Sequence, residues 1–185
     1  PLSVAALTDV GRVRSNNEDA YGKCWMADES LLVVVCDGMG GHEAGEVASG
    51  LAVRVVEEVM SQDLDTDPRE RIYNALLEAN TAILEEGSRS GTSGMGTTSI
   101  IAHIKGPTVY LGLVGDSRLF HIRNGRVLWR TLDHTRVQML VDEGIISDEE
   151  SRTHPEAGML TRALGHSKMA DGRPLEPDVL LEPLL

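Results

Sequence analysis

The sequence predicts an α+β fold, and three observations carry that expectation. An apolar run, "LLVVVCD", ends on an aspartate and a glycine-rich turn; two stretches of helical periodicity follow; then come short β-prone runs separated by turn signals. A single domain spanning residues 1–185 is expected, because this length suffices for one core and neither an internal repeat nor a linker interrupts it.

Each element has a local reason. "LSVAALT" (residues 2–8) reads as a strand, and "LLVVVCD" (31–37) is apolar enough to predict a strand buried on both faces, with Asp37 at its end. From Glu43 onward, Ala44, Val47, Ala48, Leu51, Ala52, Val55, Val56, Val59 and Met60 follow helical spacing. A second helix starts at "DPRE", where Asp67 caps, Pro68 suits the first helical position and Glu70 fits a capping box. Ile72, Leu76, Ala79 and Ile83 form its stripe, and "GSRSGTSGMG" is expected to end it. "TTSIIAHI", "TVYLGLVGD", "RLFHIRN" and "RVLWRTL" then predict an antiparallel meander, with turns at Lys105-Gly106-Pro107 and Asn124-Gly125. Between Asp133 and Gly165 two short helices are expected, "TRVQMLVDEG" and "SDEESRTH", and "EPDVLLEPLL" reads as an edge strand with prolines.

Composition removes several classes of partner. A net charge of -12 lacks the basic footprint that nucleic acid or an anionic membrane requires, so neither is an expected partner. Cys24 and Cys36 make neither a disulfide framework nor a zinc-binding pair, which fits a reducing cytoplasm. No apolar run of membrane-spanning length occurs.

The chemistry gathers where acids meet strand ends and glycines. Arg14 precedes Glu18 by four residues and Asp19 by five, while Asp37 and Asp116 each terminate a β-run. Hard divalent cations take oxygen ligands, and the glycine after Asp37 would let a backbone carbonyl approach such an ion. A plainer alternative stands beside this: "DGMGG" as a strand-to-helix turn with Asp37 capping. Arg14 has a plain alternative too, a surface pair with Glu18, and Asp116 another, the first residue of a "DSR" turn. A nucleotide-binding loop fits poorly, because the glycines do not satisfy GxGxxG and Glu43 and Glu46 would repel phosphate. No GxSxG suggests a serine hydrolase, and the six histidines are scattered, as expected of surface or locally bonded residues.

Taken in order, "GRVRSNNEDAYG", "VVVCDGMGGHEAGEVAS", "GMGTTSIIAHI" and "LGLVGDSRLFHIRNG" resemble the bacterial branch of the metal-dependent serine/threonine protein phosphatases, the protein phosphatase 2C (PPM) family. "DHTRVQMLVDEGIISDEESRTHPEAGMLTRALG" resembles that family's flap and the stretch after it, placing a flap subdomain at 131–165. The resemblance implies a two-sheet antiparallel β-sandwich flanked by helices, in α-β-β-α layers. It implies hydrolysis of phosphoserine and phosphothreonine on proteins by a metal-activated water, with two Mn²⁺ or Mg²⁺ ions, or three. By position, Asp37 becomes the bridging carboxylate, Gly38 a carbonyl ligand, Glu18 a ligand through water, Asp116 the support of a third metal, and Arg14 the holder of substrate phosphate. Asp19 joins the same acidic cluster. Partners would be phosphorylated proteins, substrates of a serine/threonine kinase.

Two departures qualify the likeness. Met39 stands where some members carry a histidine, so the group protonating the leaving oxygen is open. The chain stops at "LEPLL", before the positions of the family's later Asp-Gly and Asp-Asn pairs, so the resemblance implies a catalytic domain incomplete at its C-terminus. Such a chain is expected to bind at most one metal weakly, to turn over little or no substrate, and to self-associate through an uncovered face or edge. The alternative class is a non-catalytic phosphoprotein-binding or regulatory module of the same shape.

Overall fold

The computed structural model describes residues 2–40 and 44–183. Their elements, in chain order, are β1 (Asp19–Trp25), β2 (Leu31–Met39), α1 (Ala44–Met60), α2 (Pro68–Ser90), β3 (Gly96–Thr97), β4 (Ser99–Lys105), β5 (Thr108–Val114), β6 (Phe120–Arg123), β7 (Arg126–Arg130), α3 (Arg136–Asp142), α4 (Asp148–Ser151) and β8 (Asp178–Pro183). Antiparallel sheets plus helices make the class α+β, as expected. The main sheet runs β1-β2-β4-β5-β8, with β3 also paired to β2, and β6-β7 forms a separate two-stranded sheet.

Both long helices lie on one face of the main sheet, α1 over β1 and β2, α2 over β5 and β8. Alternate residues of β2, Leu32, Val34 and Cys36, therefore bury against Ala48, Ala52, Val56 and Ile72. The opposite pleat is less covered: Val35 is 41% exposed, so β2 is not buried on both faces as its composition predicts. Continuous hydrophobicity anticipates two packed faces, but both helices here sit on the same side.

Several expectations need correction. Residues 2–8 form no strand, because a β-prone run becomes one only where another edge accepts its hydrogen bonds, and no described strand does so. By contrast β1 is a strand that apolar periodicity does not predict. Gly22 lets α1 approach it, since a β-carbon there would meet Glu57 Oε1 at 2.3 Å. Helix α2 continues through "GSRS" to a left-handed cap at Gly91, because Gly87 leaves room for the returning Thr92 carbonyl, 3.3 Å from where its β-carbon would be. Asp67 does cap it, accepting from the Arg69 amide at 2.8 Å. The meander breaks at Gly115 (φ +105), which turns the chain out of the main sheet before the β6-β7 hairpin, whose Asn124-Gly125 turn has both residues at positive φ. Thr135 caps α3, and Ser147 with Glu150 forms a complete capping box on α4. The strand at the C-terminal end is β8, an edge strand on β5; Leu184 and Leu185 of its predicted span, and Glu43 of the first helix, lie outside the described residues. Among the described residues no helix is long and apolar enough to cross a membrane.

Candidate functional site

Asp37 sits near the end of β2, and its backbone is fastened on one side by the "GTT" segment. Its amide donates to Thr98 Oγ1 at 3.0 Å, and its carbonyl accepts from the Thr98 amide and the Thr97 hydroxyl, both at 2.9 Å. On the other side β1 brings Asp19 directly opposite Asp37 in the antiparallel register. Glu18 follows from that pairing: its carbonyl accepts from the Gly38 amide at 3.0 Å and from the Ser49 hydroxyl at 2.6 Å. The two glycines flanking this joint are sterically required. A β-carbon on Gly38 would fall 2.1 Å from the Gly45 carbonyl oxygen, and one on Gly45 would fall 2.8 Å from Glu18 Oε1. What crowds Gly38 is thus the backbone of Gly45 and Glu18.

Asp116 approaches from the end of β5. The positive-φ turn at Gly115 packs against Thr98, where a β-carbon would meet Cγ2 at 2.6 Å, and Thr98 Oγ1 shares a 2.6 Å hydrogen bond with Ser117. One threonine therefore touches the backbones that carry both Asp37 and Asp116. Beside Asp116, the Arg118 guanidinium grips both oxygens of Asp133, Nε lying 2.9 Å from Oδ1 and 3.0 Å from Oδ2.

The electrostatics match a gathering of acids. Partial burial raises the Asp37 carboxyl above the ordinary carboxylate value, and Asp19 and Asp116 push it further in the same direction; Arg14 opposes them and Glu18 adds to them. Asp116 is raised by burial first, with Asp133 adding to it and Arg118 opposing. Arg14 pairs with Glu18 at 3.1 Å, as the surface-pair alternative anticipated, yet its side chain stays 75% exposed.

The structure thus brings Arg14, Glu18, Asp19, Asp37, Gly38 and Asp116 to one end of the sheet. Among the described residues, however, no three histidine, cysteine or acidic side chains stand close enough to hold a metal ion. The donor set is all hard oxygen and fits Mg²⁺ or Mn²⁺ by type, and the charges of Asp19, Asp116 and Glu18 each raise the Asp37 carboxyl. His42 lies outside the described residues.

Composition and spacing missed the supporting residues. His103 and His134 are buried rather than superficial. Thr97 and Thr98 lie in a quoted motif, but nothing local marks them as the clasp of Asp37.

Comparison with known proteins decides what this arrangement belongs to. The family model described as protein phosphatase 2C matches residues 11–149. The chain belongs to the protein phosphatase 2C family. It is similar to the serine/threonine phosphatase stp of Listeria welshimeri, with 38% identity over 167 residues, 85% of this chain and 65% of that protein. Among solved structures it resembles the S. agalactiae serine/threonine phosphatase, with TM-score 0.85 and 32% identity over 97% of this chain and 73% of that one. It also resembles the catalytic domain of the serine/threonine protein phosphatase PstP in complex with two manganese ions, with TM-score 0.77 and 34% identity over 97% of this chain and 71% of that one. This phosphatase-family chain thus spans about two thirds to three quarters of these relatives.

Proposed function

We propose that this chain carries the metal- and phosphate-binding part of a serine/threonine protein phosphatase acting on phosphorylated proteins. The observation that supports it most is the convergence of Asp37, Asp19, Asp116 and Glu18 on one sheet end beside an exposed Arg14. Acids collected in this way destabilise an empty site and favour a cation. Asp37 and Gly38 would be the direct ligands, Glu18 and Asp116 would hold the surrounding water, and Asp19 would add negative charge. Bound Mn²⁺ or Mg²⁺ would neutralise phosphate charge and activate a water for attack at phosphorus. Arg14 presents planar paired donors to the phosphate oxygens and holds phosphorus in line for that attack. The flap at 131–165 borders Asp116 through Asp133 and is the surface on which the phosphopeptide would lie.

Two direct ligands are few for a hard cation, so we propose that the chain binds one ion weakly and has little turnover. Calorimetric titration with Mn²⁺, alongside release of phosphate from a phosphothreonine peptide, tests the assignment. A weak Mn²⁺ isotherm abolished by Asp37→Asn supports it. Phosphopeptide binding that depends on Arg14 but not on Mn²⁺ would support the non-catalytic module instead.

A further inference from the structure

Gly115 is the first residue after β5, so its amide lies beyond the last ladder pair, Ser99 with Val114. A buried amide there needs an acceptor from elsewhere, and His134 supplies it. The His134 ring accepts the Gly115 N–H at Nδ1 (3.1 Å), and its own backbone amide donates to the Gly115 carbonyl (2.9 Å). One residue therefore holds both polar groups of the glycine that precedes Asp116.

The ring is itself held. Because Nδ1 accepts, the neutral imidazole carries its proton on Nε2, which lies 3.0 Å from Asp178 Oδ2 on β8. Asp178 Oδ1 receives Arg162 Nη1 at 2.6 Å, and the same nitrogen donates to the Glu176 carbonyl at 3.0 Å. Thr161, next to Arg162, donates its amide to the His134 carbonyl at 2.8 Å. These groups border a cavity of about 380 Å³ beneath α3. On the far side Gly115 abuts Thr98, the clasp of Asp37.

We propose that His134 and Asp178 are positioning residues that fix the Asp116 turn, and through Thr98 the Asp37 backbone, in the geometry the cation requires. This rests on the phosphatase assignment above for its purpose, but the clamp itself is a property of the metal-free chain. Arg162 orients Asp178, Asp178 orients the imidazole, and the imidazole orients Gly115. A hydrophobic residue at 134 would fill the same space and leave the Gly115 amide without an acceptor.

Two isosteric substitutions separate the contacts. His134→Asn places its amide oxygen where Nδ1 lies, keeping the Gly115 bond and losing Asp178. His134→Gln reaches Asp178 and loses the acceptor for Gly115. Amide hydrogen exchange followed by NMR in metal-free protein should show Gly115 accelerated by roughly 10-fold or more in His134→Gln and near wild type in His134→Asn. Mn²⁺ affinity by calorimetry should fall several-fold in the glutamine variant, recover in the asparagine variant, and show no further loss when His134→Gln is added to Asp116→Ala. Unchanged Gly115 exchange in His134→Gln, or equal losses of Mn²⁺ affinity in both variants, would overturn the proposal. If neither variant folds, Asp178→Ala is read at the same amide, because an imidazole without Asp178 can carry its proton on Nδ1 and cease to accept, as an asparagine oxygen cannot; Asp178→Asn is expected to restore protection, and failure to do so counts against the clamp. A wild-type chain that binds no Mn²⁺ would defeat the phosphatase assignment, while Gly115 exchange would still judge the clamp.

Discussion

Gly38 and Gly45 meet at the joint between β2 and α1 so closely that a β-carbon on Gly38 would lie 2.1 Å from the Gly45 carbonyl oxygen. The obstruction is backbone and cannot rotate away. Gly38→Ala should therefore lower stability by about 2–3 kcal/mol in urea unfolding, through overpacking. Gly50→Ala is the control: nothing lies within 4 Å of a β-carbon there, and it should be neutral or stabilising by about 0.5–1 kcal/mol.

Arg14 should separate recognition from stability. Its pair with Glu18 is largely exposed on the arginine side, so Arg14→Ala should change unfolding free energy by less than about 1 kcal/mol. Affinity for a phosphothreonine peptide, measured by fluorescence anisotropy, should fall by about 10-fold, and Arg14→Lys should recover only part of it. Unaltered affinity would return Arg14 to a surface-pair role.

Acid sensitivity should come partly from His103, far from the proposed site. Burial, with Arg71 nearby, depresses its pKa from 6.5 to about 4, while its Nε2 bonds Ser30 Oγ at 2.7 Å and Asp28 and Lys105 act at longer range. Because the unfolded histidine takes up its proton first, stability is complete above 6.5 and declines as pH falls towards 4. Asp28, held below the ordinary carboxylate value by Ser30 and then Lys105, adds its loss at still lower pH. Chemical melts between pH 7 and 4 should show this slope flattened in His103→Gln.

Much of this fold was legible because helices announce themselves locally. The spacing from Ala44 to Met60 and the Asp67-Pro68 start lie where the structure has them. The strand β1 was not, since Gly22 and Lys23 interrupt its short β-prone run. The acids of the site were legible through motifs that occur in order, whereas the clamp was not: His134 meets Asp178 across 44 residues, and His103 meets Ser30 across 73. Only tertiary structure makes those pairs. The exposed pleat of β2 likewise depends on which side the helices choose.

That pleat carries a further expectation. Tyr21, Trp25 and Val35 are 43%, 58% and 41% exposed on adjoining strands, and the outer side of the edge strand β1 pairs with no described strand. Sedimentation velocity should show concentration-dependent self-association, reduced by the double substitution Trp25→Lys and Val35→Thr. A chain that stays monomeric at high micromolar concentration would contradict this.

Whether the carboxylates around Asp37 form a cation site is tested most directly by Mn²⁺ titration of the wild type against Asp37→Asn. Removing one of several mutually repelling acids should leave the metal-free protein equally stable or more stable in urea, while the weak Mn²⁺ isotherm of the wild type disappears. Indistinguishable Mn²⁺ binding by the two proteins would contradict the account.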